Sequence, residues 1–254
     1  MAFTLQSASI FPFLLFLLLL STAAANGSSK SKLCGRSASR CLAWRLSVET
    51  SNLKNWSVVP SKCVGYVEKY MRTPGQYWED SKVAVLTILG YAKTVKLVGD
   101  GKDAWIFDID ETLLSNLPYY QQHEYGGEAY NSTTFEAWVS ETKALVLPSS
   151  LLLYNVLLAR GFKIFLLTGR DEYQRNITTH NLFRAGYKGW DGLILRGVNE
   201  QGSAAGVYKP EKRGELVKKG YRLWGSVGDQ WSDLSGPYEA SRSFKLPNPM
   251  YYIS

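Results

Sequence analysis

The chain has 254 residues, of which 45% are hydrophobic and 20% charged, and its formal net charge is +7. That length suits one sizeable core, or one core with a small insert, and the ordinary composition excludes low-complexity and repeat architectures. A basic balance favours anionic partners such as phosphorylated substrates or acidic polysaccharide, but Lys and Arg are scattered rather than blocked, so no nucleic-acid partner is expected.

The first 25 residues carry no charge. Ile10 to Leu20 is almost wholly apolar, and Ala23-Ala24-Ala25 supplies small residues. This predicts a secretory signal peptide over residues 1–25 with a cut near Ala25, although the usual Lys or Arg before the apolar run is missing. The run is too short to span a bilayer comfortably, so no membrane span is expected after cleavage. The destination is then the secretory pathway, ending in the cell wall or extracellular space, or in the vacuole. In such an oxidising compartment, two of Cys34, Cys41 and Cys63 should bridge. Cys41 with Cys63 would clip the N-terminal arm around Trp44 and Trp56, leaving Cys34 free or paired between chains. Sequons start at Asn26, Asn55, Asn131 and Asn176. Asn26 is at the cut and Asn176 in an expected helix, which makes Asn55 and Asn131 the better glycan candidates.

Residues 26–100 read as an N-terminal arm with a helical extension, and 101–254 as the core. Residues 26–40, rich in Ser, Lys and Arg, are expected to be flexible. Residues 41–75 mix short helical patterns with breaks at Pro60 and Pro74-Gly75. From Tyr77 to about Val98, Val83, Leu86, Leu89 and Tyr91 recur at roughly helical spacing, predicting one long amphipathic helix. After the turn Gly99-Asp100-Gly101-Lys102 comes a strand, Ala104 to Phe107. Residues of about 115–147, aromatic and glycine-containing with a short helical pattern from Phe135 to Thr142, break the alternation and read as an inserted cap.

Beyond it a helix is expected from Ser149 to Arg160, then a strand from Lys163 to Leu167, ending in Thr168-Gly169-Arg170. A helix from about Asp171 to Ala185 and a strand from Gly192 to Leu195 follow. Lys209-Pro210 is read as opening a helix that runs to about Lys219. Strands from Leu223 to Val227 and near Ser243 to Leu246 complete the pattern. Strands alternating with helices indicate an α/β fold, a parallel sheet with helices on both faces.

Asp108, Thr168 and Asp229 each follow an apolar strand, at the carboxyl ends where open α/β sheets place their ligands. Lys209, read at a helix start, would meet an anion with help from backbone amides. Asp108 and Asp110, two residues apart, can face one pocket. Two carboxylates that close require a cation or a proton. This set suits transfer of a phosphoryl group. Mg²⁺ held by Asp108 and Asp229 would screen the repulsion between ester and nucleophile, and hard oxygen ligands favour it over zinc. No Cys/His spacing suggests zinc either. Asp108 would attack phosphorus, Thr168, Gly169 and Lys209 would hold phosphoryl oxygens, and Asp110 would act as general acid and then base. Asp233, four residues past Asp229, could brace the metal's waters or Lys209. His123 and His180 are the sole histidines and lie outside any basic cluster, and no G-x-S-x-G context exists, which excludes histidine-phosphatase and Ser-His-Asp chemistry.

Asp108-Ile109-Asp110-Glu111-Thr112, Leu167-Thr168-Gly169-Arg170, Lys209 and Gly228-Asp229-Gln230-Trp231-Ser232-Asp233-Leu234 together resemble the haloacid dehalogenase (HAD) superfamily. Within it the chain is similar to plant acid phosphatases of the vegetative storage protein type. The stretches that carry this are Cys41-Leu42-Ala43-Trp44-Arg45, Tyr66 to Met71, Val207-Tyr208-Lys209 and the tail Phe244 to Pro249. The resemblance implies a Rossmann-like HAD core, a small cap inserted after the first strand, Mg²⁺ dependence, a phosphoaspartyl intermediate and a metal contact from the backbone carbonyl of Asp110. Pro210 departs from the small polar residue usual after the lysine. Three readings follow: a phosphatase acting on phosphate monoesters, a storage protein with incidental activity, and a phosphotransferase that replaces water with an alcohol. A second copy of the chain is a further candidate partner.

Overall fold

The computed structural model describes residues 29–72 and 74–254, with side chains from residue 38 onward. The expected signal peptide, Asn26 and the side chain of Cys34 lie outside the described residues. In chain order the elements are α1 (Ser29–Glu49), α2 (Val64–Met71), α3 (Gln76–Thr94), β1 (Asp103–Phe107), β2 (Leu114–Ser115), α4 (Leu117–Gln121), α5 (Ser132–Ser140), β3 (Leu145–Val146), α6 (Pro148–Ala159), β4 (Lys163–Asp171), α7 (Arg175–Arg184), β5 (Gly192–Arg196), α8 (Ala205–Lys218), β6 (Arg222–Gly228) and β7 (Arg242–Lys245). Among the described residues, no helix is long and apolar enough to cross a membrane.

Five strands form one parallel sheet in the order β5-β4-β1-β6-β7. The fold is therefore α/β, as the alternation predicts. β1 is central and wholly buried, so its side chains serve both faces in turn. Trp105 and Phe107 enter a cluster with Val85, Ile88, Leu153, Tyr154 and Leu157 from α3 and α6. Ala104 and Ile106 enter a second cluster with Tyr208 and Leu216 of α8. Trp105 stacks on Phe244 of β7 at 5.9 Å between ring centroids. The indole lies across Gly225, where a Cβ would collide with its ring. This close approach is what requires glycine in the middle of β6.

β2 and β3 pair antiparallel, Leu114 with Val146 and Ser115 with Leu145. The cap is thus an excursion that leaves β1 and returns beside its own start. Its Leu117, Tyr119 and Tyr120 share a third cluster with Val59, Cys63, Val67, Tyr70 and Tyr77 of the arm and Met250 of the tail. Arm, cap and tail are therefore one apolar body above the sheet's carboxyl end. Cys41 and Cys63 are bridged, the pairing expected from sequence, which ties α1 to the turn before α2.

Three expectations are corrected. Residues 26–40 are not a flexible leader where the structure describes them: α1 runs unbroken from Ser29, because a helix anchored by Cys41 and Val48 propagates at little further cost. The buried stripe of α3 is Tyr77, Ser81, Val85, Ile88 and Ala92, whereas Val83 and Leu86 are 61% and 56% exposed. Apolar identity there overstated burial, since a solvated helix face tolerates single hydrophobes. Finally, Lys209-Pro210 does not open a helix. α8 begins at Ala205, after the Gly202-Ser203 turn, so Lys209 sits more than a turn inside and the amide-terminus argument for it lapses. Pro210 lacks the N–H that would reach the carbonyl of Gly206, a loss confined to the helix's opening turns.

Removing the bridge by Cys41→Ser with Cys63→Ser releases a loop across a separation of 22 residues. The expected loss is about 3 kcal/mol, read from urea unfolding midpoints with and without the bridge.

Candidate active site

The strand order sets the geometry. β1 ends between β4 and β6, so Asp108 stands between Thr168 and Asp229 at one rim of the sheet. The Asp108 N–H donates to the Val227 carbonyl at 3.0 Å, which fixes the chain as it leaves β1. From the opposite layer Lys209 of α8 reaches in. Its Nζ donates to Asp108 Oδ1 at 2.8 Å and also to Asp233 Oδ1. All three side chains are buried. Gly228 makes room for this: a Cβ there would overlap the Asp233 carboxylate. Asp108, Asp229 and Asp233 each bring an oxygen within 4.8 Å of the others.

Asp110 points to the same hollow but belongs to a different ion pair. Arg170 grips it with two bonds, Nε to Oδ2 at 2.9 Å and Nη2 to Oδ1 at 2.7 Å, and Asn116 Nδ2 adds a third at 2.7 Å. Arg170 also donates to Thr178 Oγ1 at 3.1 Å. Such a forked pair is among the stronger and more directional of charged contacts. Thr168 is fully buried, and its Oγ1 accepts the Arg170 N–H at 3.2 Å, leaving its own hydrogen to donate. Gly169 lines the cavity, and its carbonyl accepts from Arg196 Nε at 3.0 Å. Asp229 Oδ2 accepts from Gln230 Nε2 and from Asn248 Nδ2, both at 2.7 Å.

The electrostatics follow from burial against pairing. Burial pushes the Asp108 carboxyl well above the usual carboxylate range, and the charge on Asp233 adds to this, opposed by Lys209. Burial alone would discharge Lys209, but Asp108 and Asp233 outweigh it and keep the ammonium charged. For Asp110, too, burial pushes upward, yet Arg170 prevails and holds the group below its ordinary value. Burial, then Asp233, raises Asp229 to about 6. Glu111, in the tight turn after Asp110, is fully buried, and burial lifts it to about 8 despite bonds from the Asn116 N–H at 2.7 Å and Ser115 Oγ at 3.0 Å.

Above these groups opens a cavity of about 610 Å³ whose floor includes Asp108, Asp110, Arg170, Lys209 and Asp229. Its walls are aromatic: Trp56 from the arm, Tyr120, Tyr130 and Phe135 from the cap, Tyr251 and Tyr252 from the tail. The structure thus brings Asp108, Asp110, Lys209, Asp229 and Asp233 together, with Thr168 beneath and Gly169 beside them. His123 stacks on Tyr119 and His180 contacts Thr142, both away from the cavity. Asn55, Asn131 and Asn176 are all exposed. Sequence reasoning gave no role to Arg170, Asn116, Gln230 or Asn248. Only Arg170 had a readable signal: two residues after Thr168 on an extended strand, it must share that residue's face.

A family model described as HAD superfamily, subfamily IIIB (Acid phosphatase), matches residues 27–254. The chain is 51% identical over 214 residues to "Acid phosphatase 1" of Solanum lycopersicum, covering 84% of each. It is 41% identical to "Vegetative storage protein 2" of Arabidopsis thaliana over 84% of this chain and 80% of that one. Among solved structures, a class C acid phosphatase from Bacillus anthracis with tungstate bound shares the fold, with a TM-score of 0.58 and 23% identity over 74% of this chain and 85% of that one.

Glu111 and Asp229 titrate higher when folded than their ordinary values of 4.5 and 3.8. Their protonated forms are the ones the fold favours, so this contribution is complete below the unfolded values and disappears as pH rises through the folded ones. Metal-free protein is expected to lose a few kcal/mol of stability between about pH 4 and about pH 8. Glu111→Gln should flatten that slope in thermal unfolding scans across the range.

Proposed function

The chain belongs to the acid phosphatases of HAD subfamily IIIB, and on that premise we propose that it hydrolyses phosphate monoesters through a phosphoaspartyl intermediate on Asp108, with Mg²⁺. The observation that carries the reading is the buried triangle of Asp108, Lys209 and Asp233 beside Asp229, at the floor of a cleft large enough for an organic ester.

The donor set fits a hard divalent cation. Four carboxylates, Asp108, Asp110, Asp229 and Asp233, face two cations, Lys209 and Arg170, at the floor of the cleft. The surplus of negative charge is what such a cation neutralises, and an all-oxygen set suits Mg²⁺. Asp108 and Asp229 would hold it with their carboxylates and Asp110 with its backbone carbonyl; bound there, it keeps Asp108 ionised and draws charge from the phosphoryl oxygens.

The residues of the chain then divide the work. Asp108 forms a bond to phosphorus as the ester P–O bond breaks. Lys209, locked between two carboxylates, presents a fixed positive charge to the phosphoryl oxygens, joined by the Thr168 hydroxyl and the Gly169 backbone. Asp110 gives a proton to the departing alcohol, then removes one from the water that cleaves the acyl phosphate. Arg170 holds Asp110 ionised, which suits the second half-reaction directly. The first needs Asp110 protonated, a form that acidic medium supplies.

A second reading, storage with incidental turnover, is favoured by the relatives named vegetative storage protein and stem glycoprotein. Both readings are compatible with a secreted or vacuolar glycoprotein carrying sugar at the exposed Asn55, Asn131 or Asn176. Tissue abundance far above catalytic need, with very low turnover, would select storage.

Asp108→Asn is expected to abolish both hydrolysis of p-nitrophenyl phosphate and formation of the acyl phosphate that acid quenching traps in the parent protein; a normal rate would refute the nucleophile. Chelation of divalent ions should remove activity, and added Mg²⁺ should restore it. Asp110→Asn is expected to slow alkyl phosphates by about 10²–10⁴. Aryl phosphates, whose leaving groups need less help from an acid, should lose markedly less in the same kinetic comparison.

A further inference from the structure

The tail Phe244 to Pro249 runs straight to the candidate metal centre. Asn248 in its middle is 1% exposed. Its Nδ2 donates to Asp229 Oδ2 at 2.7 Å, and its Oδ1 accepts the Met250 N–H at 2.9 Å. Since a backbone N–H can only donate, the second bond fixes which end of the amide is which and aims the NH₂ at Asp229. The Asn248 N–H donates to Glu49 Oε1 at 3.0 Å, and Glu49 Oε2 accepts from Lys245 Nζ at 2.7 Å. Pro247 and Pro249 restrict the backbone on either side. Asn248 is therefore held from three directions and has no rotamer to spare.

Resting on the reading of Asp229 as a metal ligand, we propose that Asn248 is a positioning residue that orients the Asp229 carboxylate for the divalent cation. Asp229 Oδ2 is occupied by two neutral amide donors, Gln230 Nε2 and Asn248 Nδ2. Among the described residues Oδ1 has only the long contact from Thr112 Oγ1, at 3.4 Å, and is the oxygen with lone pairs left for a cation. Two donors on one oxygen fix the plane of the carboxylate. A neutral amide does this without adding a competing cation or another negative charge. Gln230 follows Asp229 directly, and its amide accepts the Ile253 N–H at 3.0 Å and donates to the Tyr251 carbonyl at 3.4 Å. Asn248 is the donor that refers Asp229 to α1, through Glu49.

The test is Mg²⁺ binding itself, by calorimetric titration of the purified full chain, with Mn²⁺ as a second probe. Asn248→Ala and the near-isosteric Asn248→Leu are compared with the parent protein, and thermal unfolding is followed as Mg²⁺ is added. Loss of an outer partner of a metal ligand is expected to weaken Mg²⁺ about 10- to 100-fold in both variants. The Mg²⁺ concentration for half-maximal activity should rise in step, and kcat should recover at saturating Mg²⁺. A purely structural role predicts a lower unfolding temperature without Mg²⁺ and unchanged affinity; that result, or failure of both variants to fold even with Mg²⁺, would overturn the proposal. If the parent protein bound neither ion, the metal reading would fall, and this inference with it.

Discussion

One buried ammonium organises the centre of this molecule. Lys209 lies between Asp108 and Asp233, three charges with almost no access to water. An unpaired charge in such a place would cost several kcal/mol, so each member is tenable only because the others are present. The constraint reaches outward. β1 and β6 must be neighbours to bring Asp108 beside the Asp229–Asp233 loop, and α8 must cross the sheet at the depth that delivers a lysine. Gly228 must lack a side chain so that Asp233 can turn back under the strand. The parallel sheet is, in this sense, a device for meeting charges that come from positions 108, 209 and 233.

Above that floor the molecule is built differently. The walls of the cleft come from three segments distant in sequence, the arm, the cap and the tail, and these pack on one another through a shared apolar cluster. The disulfide between Cys41 and Cys63 encloses the stretch that contributes Trp56. Floor and walls can therefore vary independently. The floor is tied to strand order and to charge; the walls are tied to aromatic packing, which tolerates exchange among similar shapes.

The parts legible in sequence are those with a strong local signature. β1 ends where an apolar run meets Asp108, and the same pattern marks Thr168 and Asp229. The Cys41–Cys63 bridge followed from compartment and proximity to the arm. The start of α8 was misread because Pro at a first helical turn is a common signal, and here a sixth-position Pro imitates it. The stripe of α3 was misread because valine and leucine on a solvated face look like core until the partner surface is known. Asn248 carried no signal of function on its own, and Arg170 only its place two residues after Thr168. Their significance lies in contacts across 19 and 60 positions, and a polar side chain does not announce its partner.

The crowding of Asp108, Asp229 and Asp233 has an evolutionary corollary. Like charges gathered in a buried site oppose folding, and Asp108, the proposed nucleophile, is one of them. A descendant that exchanged Asp108 for a neutral residue of similar size would, on the proposed mechanism, give up turnover and leave Asp233 alone to pair Lys209. Selection for accumulation rather than chemistry would accept that exchange, and a scaffold of this kind stands one substitution from becoming a nutrient reserve.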